Sequence, residues 1–199
     1  MAYPRAMGPR VVLFTRYPEP GRAKTRLIPA LGAQGAAALH RTLTERTITA
    51  VRRAGLALEI RATGAPLAAF SAWLGAETIV DQGDGDLGER LERAGPPYPT
   101  LFIGADAPDL TPGLLRDAAD ALERSSAVIG PAEDGGFWLL GLARAVAGVF
   151  TGIDWGSDVV CAQTIARLTA AAIDPVLLPE LVDCDRPADL ARWPDLVAR

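Results

Sequence analysis

Two short, continuous apolar segments stand out in the hydrophobic pattern of the chain. They cover residues 10–15 and 100–104, and both are rich in β-branched or aromatic side chains. A short apolar run without alternation is typical of a strand that is buried on both faces of a parallel sheet. We therefore predict a parallel sheet that contains both segments.

Strand-like and helix-like patterns alternate along the rest of the chain. Further strands are predicted at residues 56–62, 77–80, 127–130, 137–142 and 176–181. Helices are predicted at residues 33–53, 66–74, 87–94, 112–124 and 157–171, and a last one over residues 187–197 that Pro194 interrupts.

This alternation is typical of βαβ units, whose right-handed crossovers build a doubly wound sheet. Segment 137–142 directly follows a glycine turn, which favours a mixed sheet rather than a purely parallel one. We predict an α/β fold with three layers, α/β/α, around a mostly parallel mixed sheet. Such folds bind ligands beyond the carboxyl ends of their strands, so the loops there are expected to carry function.

Composition limits the classes of partner. A length of 199 residues fits one domain over residues 1–199. Apolar residues make up 49% of the chain and charged residues 22%, which is close to ordinary globular usage. The net charge of -4 offers no broad basic field for nucleic acid, so any anion site must be local.

Several further classes are disfavoured. The chain has no apolar run of the roughly 18 residues that span a bilayer, and residues 1–10 lack the apolar core of a signal peptide, so we expect a cytoplasmic protein with no membrane partner. Cys161 and Cys184 form no C-x-x-C pair and are expected to pack in the interior. Since His40 is the only histidine, neither a Ser-His-Asp triad nor a multi-histidine metal site is expected.

The loop at residues 16–27 follows the first predicted strand and concentrates positive charge. Its basic residues are Arg16, Arg22, Lys24 and Arg26. A lysine supplies a compact charge and an arginine a bidentate fork, which together suit the oxygens of a di- or triphosphate, while Gly21 and two prolines fix the path of the loop. A solvated basic surface loop is the alternative. Neither a Walker A loop nor a dinucleotide fingerprint occurs, which disfavours kinases and dehydrogenases.

Asp106 is the best candidate for a metal ligand. It lies at the end of a predicted buried strand, where a carboxylate is costly unless it is paired or bound to metal. Magnesium needs only one or two protein carboxylates, because phosphate and water complete its octahedron. The alternative is that Asp106 caps the following helix, although Asp109 or Thr111 could serve as that cap.

Asp185 is a possible second ligand at another strand-to-helix corner, residues 182–190. Asp185 or Asp183 could instead cap the helix that Pro187 helps to start. The sequence leaves these two interpretations open.

Two glycine-rich turns also follow predicted strands, at residues 83–88 and 131–137. Glycine allows close approach of the backbone to a ligand, but such turns are also ordinary surface connections. Trp155 either forms a wall of a substrate pocket or packs in the interior, and Ser157 is a candidate N-cap of the following helix.

Taken in order, these motifs resemble those of a bacterial family of GT-A-type transferases, and the resemblance covers nearly the whole chain. Such proteins are similar to nucleotide-diphospho-sugar transferases, and some are labelled arsenosugar biosynthesis glycosyltransferases. The molybdenum-cofactor and phospholactate nucleotidyltransferases are more distant relatives. The matching segments are residues 14–16, 20–22, 24–27, 83–88, 104–110, 130–136, 152–155, 162–164 and 183–190.

The resemblance implies a role for each motif. The residues that the resemblance implies for nucleotide binding are Arg16, Gly21, Arg22, Lys24, Arg26, Gly85 and Gly88. Asp106 and Asp185 bind Mg²⁺ or Mn²⁺, and Lys24, Arg26 and Asp106 are the catalytic set. The acceptor side is formed by Asp134, Gly135, Gly136 and Trp155. One departure concerns Asp185-Arg186-Pro187, which stands where the family usually has Asp-Thr-Pro.

The implied activity is metal-dependent transfer from an activated nucleotide. Glycosyl transfer from a nucleotide-sugar to a small acceptor is the leading hypothesis. Nucleotidyl transfer from a nucleoside triphosphate to a small phosphorylated acceptor is the first alternative, and a catalytically silent nucleotide-binding module is the second. In both chemistries the metal and the basic residues neutralise phosphate charge, so catalysis depends on position and electrostatics.

Overall fold

The computed structural model describes residues 8–75 and 77–196. Most of the N-terminal segment considered above, residues 1–7, and the predicted helix end at Val197 lie outside the described residues. Among the helices in the described ranges, none is both long and apolar enough to cross a membrane.

The described elements follow the predicted alternation. The strands are β1 (Arg10–Arg16), β2 (Leu58–Thr63), β3 (Thr78–Asp81), β4 (Thr100–Ile103), β5 (Ala127–Pro131), β6 (Phe137–Leu142) and β7 (Val176–Leu177). The α-helices are α1 (Ile28–Ala54), α2 (Leu67–Leu74), α3 (Leu87–Ala94), α4 (Pro112–Arg124) and α5 (Val160–Ala170). Short 3-10 helices cover Thr25–Leu27, Pro187–Arg192 and Pro194–Leu196.

The strands form one sheet in the order β3-β2-β1-β4-β6-β5-β7. Within the described sheet, β6 alone runs antiparallel to its neighbours β4 and β5, and the other pairs are parallel. The reversal follows from chain length, because the short turn between β5 and β6 cannot hold a parallel crossover. The predicted mostly parallel mixed sheet is thus confirmed.

Helices cover both faces of the sheet. Alternating residues of β1 point to opposite layers: Val11 and Leu13 pack with helices α1 and α4, whereas Val12 packs with α3 and α5. All three side chains are fully buried, and so is each residue of β4. The three-layer α/β/α arrangement predicted from the sequence is therefore confirmed.

Two helix limits are set by glycine. Gly32 has non-helical angles (φ 69, ψ 166), so the regular part of α1 begins after it, where the sequence pattern predicts. Gly55 ends α1 in the left-handed conformation (φ 76), which costs glycine little.

Three terminal predictions need correction. Helix α5 begins at Val160, and Ser157 lies in the preceding turn, where its hydroxyl donates to the carbonyl of Asp154 (2.7 Å) instead of capping. Strand β7 ends at Leu177, because the register with β5 then slips: Leu178 donates to the carbonyl of Ile129 (2.8 Å), and the next donor to β5 is Leu181, which binds the carbonyl of Pro131 (3.1 Å) and pairs with Ala132. The C-terminal segment forms 3-10 helices rather than α-helix.

A third apolar cluster joins the segment after β1 to the C-terminal region. Leu27, Leu39, Leu43 and Cys184 are buried in it, and Leu190, Trp193 and Leu196 pack against them. This cluster fixes the C-terminal corner beside the basic loop. Both cysteines are buried and unpaired, as predicted.

Candidate active site

A cleft of about 290 Å³ opens beyond the carboxyl ends of the parallel strands. It is lined by Phe14, Thr15, Arg16, Lys24, His40, Thr63, Gln82, Leu87, Ala105, Asp106 and Asp185. These residues come from four strand ends, the basic loop after β1, helices α1 and α3, and the C-terminal corner. The cleft lies where a doubly wound fold is expected to bind its ligand.

Lys24 and Asp106 form the centre of the cleft. The Lys24 Nζ lies 2.6 Å from Asp106 Oδ1 and 3.7 Å from Asp185 Oδ1, and it donates to the carbonyl of Cys184 (2.7 Å). Only 3% of the Lys24 side chain is exposed, compared with 47% for Asp106. The buried ammonium thus has three oxygen partners, and the carboxylate of Asp106 still faces the cleft.

The ion pair shifts the pKa values of both partners. Burial acts to lower the pKa of Lys24, but the charge and hydrogen bond of Asp106, followed by the charges of Asp185 and Asp183, raise it above its usual value. Burial acts to raise the pKa of Asp106, but the charge and hydrogen bond of Lys24 hold it below the usual value. Both groups are therefore charged at neutral pH.

Asp106 is not a helix cap. The N-cap of α4 is Thr111, whose hydroxyl accepts a hydrogen bond from the N–H of Leu114 (3.2 Å). Asp109 is engaged elsewhere, since its carboxylate accepts from the indole of Trp193 (2.9 Å). This leaves the Asp106 carboxylate available for a cation.

The structure also separates the two interpretations of Asp185. The carboxylate of Asp189 accepts hydrogen bonds from the N–H groups of Asp185 (3.0 Å) and Arg186 (2.7 Å), and so caps the 3-10 helix. The side chain of Asp185 points to cations instead, with its Oδ2 2.6 Å from Arg26. Asp189 replaces the missing threonine cap, which frees Asp185 for the cleft.

Asp183 joins this set, although the sequence suggested it only as a possible cap. It lines a second cavity of about 230 Å³ that shares Asp185 with the first and also contains Asp134. Burial, followed by the negative charges of Asp106 and Asp134, raises the pKa of Asp183 to about 7. A cation beside these carboxylates would relieve their repulsion.

The basic residues of the loop after β1 have different partners. Arg26 pairs with Asp185, and Arg22 pairs with Glu19 at 3.4 Å on the surface. Arg16 lines the cleft and donates to the carbonyl of Arg22 (2.8 Å). Gly21 has a left-handed backbone (φ 83) that turns the loop. The loop is a real cluster of cations, and Lys24 is its buried member.

Two of the three glycines assigned to the nucleotide, Gly85 and Gly88, lie at the start of α3. Gly85 has φ 97, and a Cβ there would meet the Glu89 carboxylate at 2.0 Å. A Cβ at Gly88 would meet the carbonyl of Phe150 at 2.6 Å and the indole of Trp155 at 2.9 Å. Close packing within the protein accounts for both glycines, and neither is among the residues that line the cleft.

Of the four residues assigned to the acceptor side, only Asp134 lines the second cavity. Its carboxylate accepts from the N–H of Gly136 (2.9 Å), which closes the turn. Gly135 (φ 86) lies against Asp158, where a Cβ would come within 1.9 Å of the carbonyl oxygen. Trp155 is half-buried and packs edge-on to Phe137 (6.4 Å). Asp134 is therefore near the cleft, whereas Trp155 packs against the apolar cluster that contains residues of α3 and α5.

Sequence reasoning missed His40 and Gln82, which line the cleft and hold its strand ends. His40 Nε2 lies 3.0 Å from the carbonyl of Arg16 and 3.3 Å from the hydroxyl of Thr15. The Gln82 amide donates to the carbonyls of Thr15 (3.1 Å) and Arg61 (3.0 Å). Both brace the ends of strands, and no short motif identifies such residues because their partners are distant in sequence.

The donor set suits a hard divalent cation that also binds phosphate. In the described part of the chain, no group of three or more His, Cys, Asp or Glu side chains is arranged to hold a metal by itself. Two carboxylates and a carbonyl surround the Lys24 ammonium, so a positive charge already lies among oxygen atoms of the kind that bind metal ions. Magnesium and manganese accept such sparse oxygen sets when phosphate and water complete the shell.

Solved structures with the same fold are known. A Desulfovibrio desulfuricans G20 protein, described provisionally as a nucleotide-diphospho-sugar transferase, is 31% identical with a TM-score of 0.86 over 93% of this chain and 86% of its own. None of the proteins of curated function matches this chain in sequence.

More distant structures share the fold alone. Rv0371c of Mycobacterium tuberculosis H37Rv is 20% identical (TM-score 0.59, 98% of this chain and 100% of its own), and its complex with manganese is 19% identical (TM-score 0.54, 92% and 97%). The 2-C-methyl-D-erythritol 4-phosphate cytidylyltransferase of Thermus thermophilus is 18% identical (TM-score 0.58, 97% and 100%).

Residues 43–157 match the model of a protein family described as uncharacterized and conserved in bacteria, DUF2064. This match covers more than half of the chain, and the similarity to the Desulfovibrio protein covers 93% of it. The chain is a member of the DUF2064 family with the fold of the nucleotide-diphospho-sugar transferases.

Proposed function

We propose that this protein transfers a glycosyl group from a nucleotide-sugar to a small acceptor with the help of Mg²⁺ or Mn²⁺. The observation that carries the proposal is the position of the Lys24 ammonium, which lies between Asp106 and Asp185 in a loop that holds further basic residues. The description of the 31% identical relative supports a nucleotide-sugar donor, and the manganese complex of Rv0371c supports a divalent metal.

The reaction exchanges one bond at the anomeric carbon for another. The bond from that carbon to the phosphate oxygen breaks, and the nucleoside diphosphate leaves with the bonding electrons. The acceptor oxygen bonds to the same carbon, and its proton passes to solvent or a carboxylate. Positive charge near the diphosphate lowers the barrier, because negative charge grows there as the bond breaks.

The charged residues in and around the cleft have distinct parts in this scheme. Asp106 and Asp185 would hold the metal, which supplies charge neutralisation to the leaving diphosphate. Lys24 and Arg26 donate to phosphate oxygens, and Arg16 and Arg22 extend the cationic surface along the loop. Asp134, Gly135, Gly136 and Trp155 are proposed to shape the acceptor side.

Nucleotidyl transfer is a second candidate, favoured by one observation. Four basic residues on a single loop suit a triphosphate, which carries more charge than the diphosphate of a nucleotide-sugar. There, the acceptor phosphate would attack the α-phosphorus and pyrophosphate would leave. The same cations and carboxylates serve either reaction.

Thermal unfolding against a panel of ligands tests the proposal. Nucleotide-sugars and nucleoside triphosphates are each added with and without Mg²⁺ or Mn²⁺. A ligand at 100 times its Kd adds about 2.7 kcal/mol, and melting moves by about 2–4 °C per kcal/mol at this size. A metal-dependent shift by a nucleotide-sugar, followed by release of nucleoside diphosphate with an acceptor, is expected. A shift by a triphosphate alone would favour nucleotidyl transfer.

Matched variants assign the shift to the cleft. Asp106→Asn should abolish the metal-dependent part of the shift, because it removes charge from the proposed ligand while keeping its shape. Asp120→Asn on the exposed surface of α4 is the control and should behave as the wild-type protein. Full metal dependence in Asp106→Asn would contradict the assigned site, and ligand binding without any product would favour a silent nucleotide-binding module.

A further inference from the structure

Lys24 is the only lysine among the 20 basic residues of this chain. Every other cation is an arginine, whose planar fork is larger and more weakly hydrated than a compact ammonium. A single small cation has therefore been placed at the one point where two carboxylates of the cleft converge. An arginine at the same point would present a fork instead of a point charge.

The surroundings of Lys24 resemble those of a metal ion. Its Nζ contacts Asp106 Oδ1 (2.6 Å) and the carbonyl of Cys184 (2.7 Å), and Asp185 Oδ1 lies at 3.7 Å. These are the oxygen types that bind Mg²⁺ and Mn²⁺. With 3% of its side chain exposed, Lys24 is turned away from solvent and toward the carboxylates.

The backbone of Lys24 is also unusual. Its angles are φ 47 and ψ 45, in the left-handed region that non-glycine residues avoid. Such a conformation persists where the surrounding contacts impose it, and it is common at functional sites. In this conformation the side chain forms the ion pair with Asp106 and the hydrogen bond to the carbonyl of Cys184.

We propose that Lys24 is a resident counter-ion that exchanges its carboxylate contacts for phosphate contacts when metal and nucleotide bind. This inference rests on the proposed function and adds that the binding of metal and the binding of nucleotide are coupled. In the ligand-free protein the ammonium balances Asp106 and Asp185. A divalent cation on the same oxygens repels the ammonium, which then has phosphate oxygens as its new partners.

The exchange makes metal and nucleotide bind cooperatively. Metal alone must displace the ammonium without offering it a new partner, and nucleotide alone must draw it from Asp106 and leave the carboxylates unbalanced. Each ligand therefore removes the cost of binding the other, and the coupling is reciprocal. Lys24 would keep the cleft from holding metal without its nucleotide.

Direct measurement of Mn²⁺ binding to variants tests the competition. Without nucleotide, Lys24→Gln is expected to bind Mn²⁺ at least about tenfold more tightly than the wild-type protein, which corresponds to about 1.4 kcal/mol. Arg26→Gln is the matched control, because Arg26 also pairs with Asp185 but is 62% exposed and has no contact with Asp106. Its Mn²⁺ affinity is expected to rise by less than about threefold. Calorimetry or electron paramagnetic resonance of free Mn²⁺ provides the readout.

A second measurement uses the wild-type protein and does not depend on a variant that folds. Because the chain has one lysine, protein labelled with ¹³C-lysine gives a single set of lysine side-chain NMR signals. Addition of Mg²⁺ together with the nucleotide that stabilises the protein should move the Lys24 Cε signal. Either ligand alone should move it less at the same concentration.

The outcomes separate this inference from the proposed function. Unchanged or weaker Mn²⁺ binding by Lys24→Gln, or an unmoved Lys24 signal while metal and nucleotide are bound, would overturn the exchange and leave the transferase proposal standing. If neither metal nor any nucleotide binds to the wild-type protein, both the exchange and the proposed function are wrong.

Discussion

At the scale of single residues, His40 illustrates how a buried side chain supports the cleft through its neighbours. It is 7% exposed, and its Nε2 bonds to the carbonyl of Arg16, so that nitrogen carries the proton. Burial is the main cause that lowers the pKa of His40 below its ordinary value of 6.5. The folded protein therefore holds this imidazole neutral.

This lowered pKa predicts a pH dependence of stability. The unfolded chain takes up a proton on His40 near pH 6.5, and the folded protein does so only at lower pH. The contribution of His40 to the free energy of unfolding should therefore fall as pH decreases from 7.5 to 5, whereas the raised pKa of Asp183 in the folded protein contributes in the opposite direction over the same range. His40→Gln, whose amide can still donate to Arg16, should lose this part of the dependence. Melting curves of both proteins across the range check it, and parallel pH profiles would contradict it.

At the scale of elements, the C-terminal corner depends on a cap in which a side chain binds main-chain N–H groups of residues that precede it in the sequence. The Asp189 carboxylate binds the N–H groups of Asp185 and Arg186, and the cluster around Cys184 fixes the corner against α1. The main-chain N–H of Cys184 also donates to the carbonyl of Asp106 (2.8 Å). The position of Asp185 is therefore set by Asp189 and by the loop after β4.

Asp189→Ala is expected to weaken metal-dependent nucleotide binding, although Asp189 is not itself one of the proposed metal ligands and contacts Asp185 only at its main-chain N–H. Loss of the cap should cost about 0.5–2 kcal/mol of stability and release Asp185 from its orientation. Asp195→Ala, which removes an exposed carboxylate from the next 3-10 helix, is the control and should change neither property. Nucleotide titrations with and without Mg²⁺ give the measurement. Loss of stability with unaltered affinity would mean that Asp185 does not need this support.

At the scale of the whole molecule, the reversed strand β6 ties the two halves of the sheet together. It lies between β4 and β5, and its Gly141 is packed where a Cβ would meet Val128 Cγ1 at 2.4 Å and Leu101 Cδ2 at 2.7 Å. Both partners are fully buried. The strands can pack tightly at this point because glycine leaves room for side chains from both neighbouring strands.

Gly141→Ala should therefore destabilise the fold by about 1–3 kcal/mol through overpacking. Gly113→Ala near the start of α4 is the control, because its Cβ would meet only the Thr111 hydroxyl at 3.6 Å, and alanine favours a helix. Urea unfolding measures the difference, with an unchanged m-value expected. Equal stability of the two variants would show that the core around β6 relaxes without cost.

Much of the fold could be predicted from the sequence because secondary structure leaves a local pattern. The bounds predicted for α3, α4 and β6 agree with the structure at both ends. Predictions failed where a local signal had a competitor, as at Ser157, whose hydroxyl binds a carbonyl instead of starting a helix. The basic loop could be found because its charges are adjacent in sequence, as could the strand-end position of Asp106.

By itself, the sequence determined the elements, the mixed three-layer architecture and the loops that hold candidate chemistry. Only the tertiary structure decided which side chains meet. Lys24 bonds to a carbonyl 160 residues away, and Asp189 rather than Asp185 caps the last corner. No local pattern encodes such contacts, because they arise when the sheet brings distant strand ends together and burial makes their charges interact strongly.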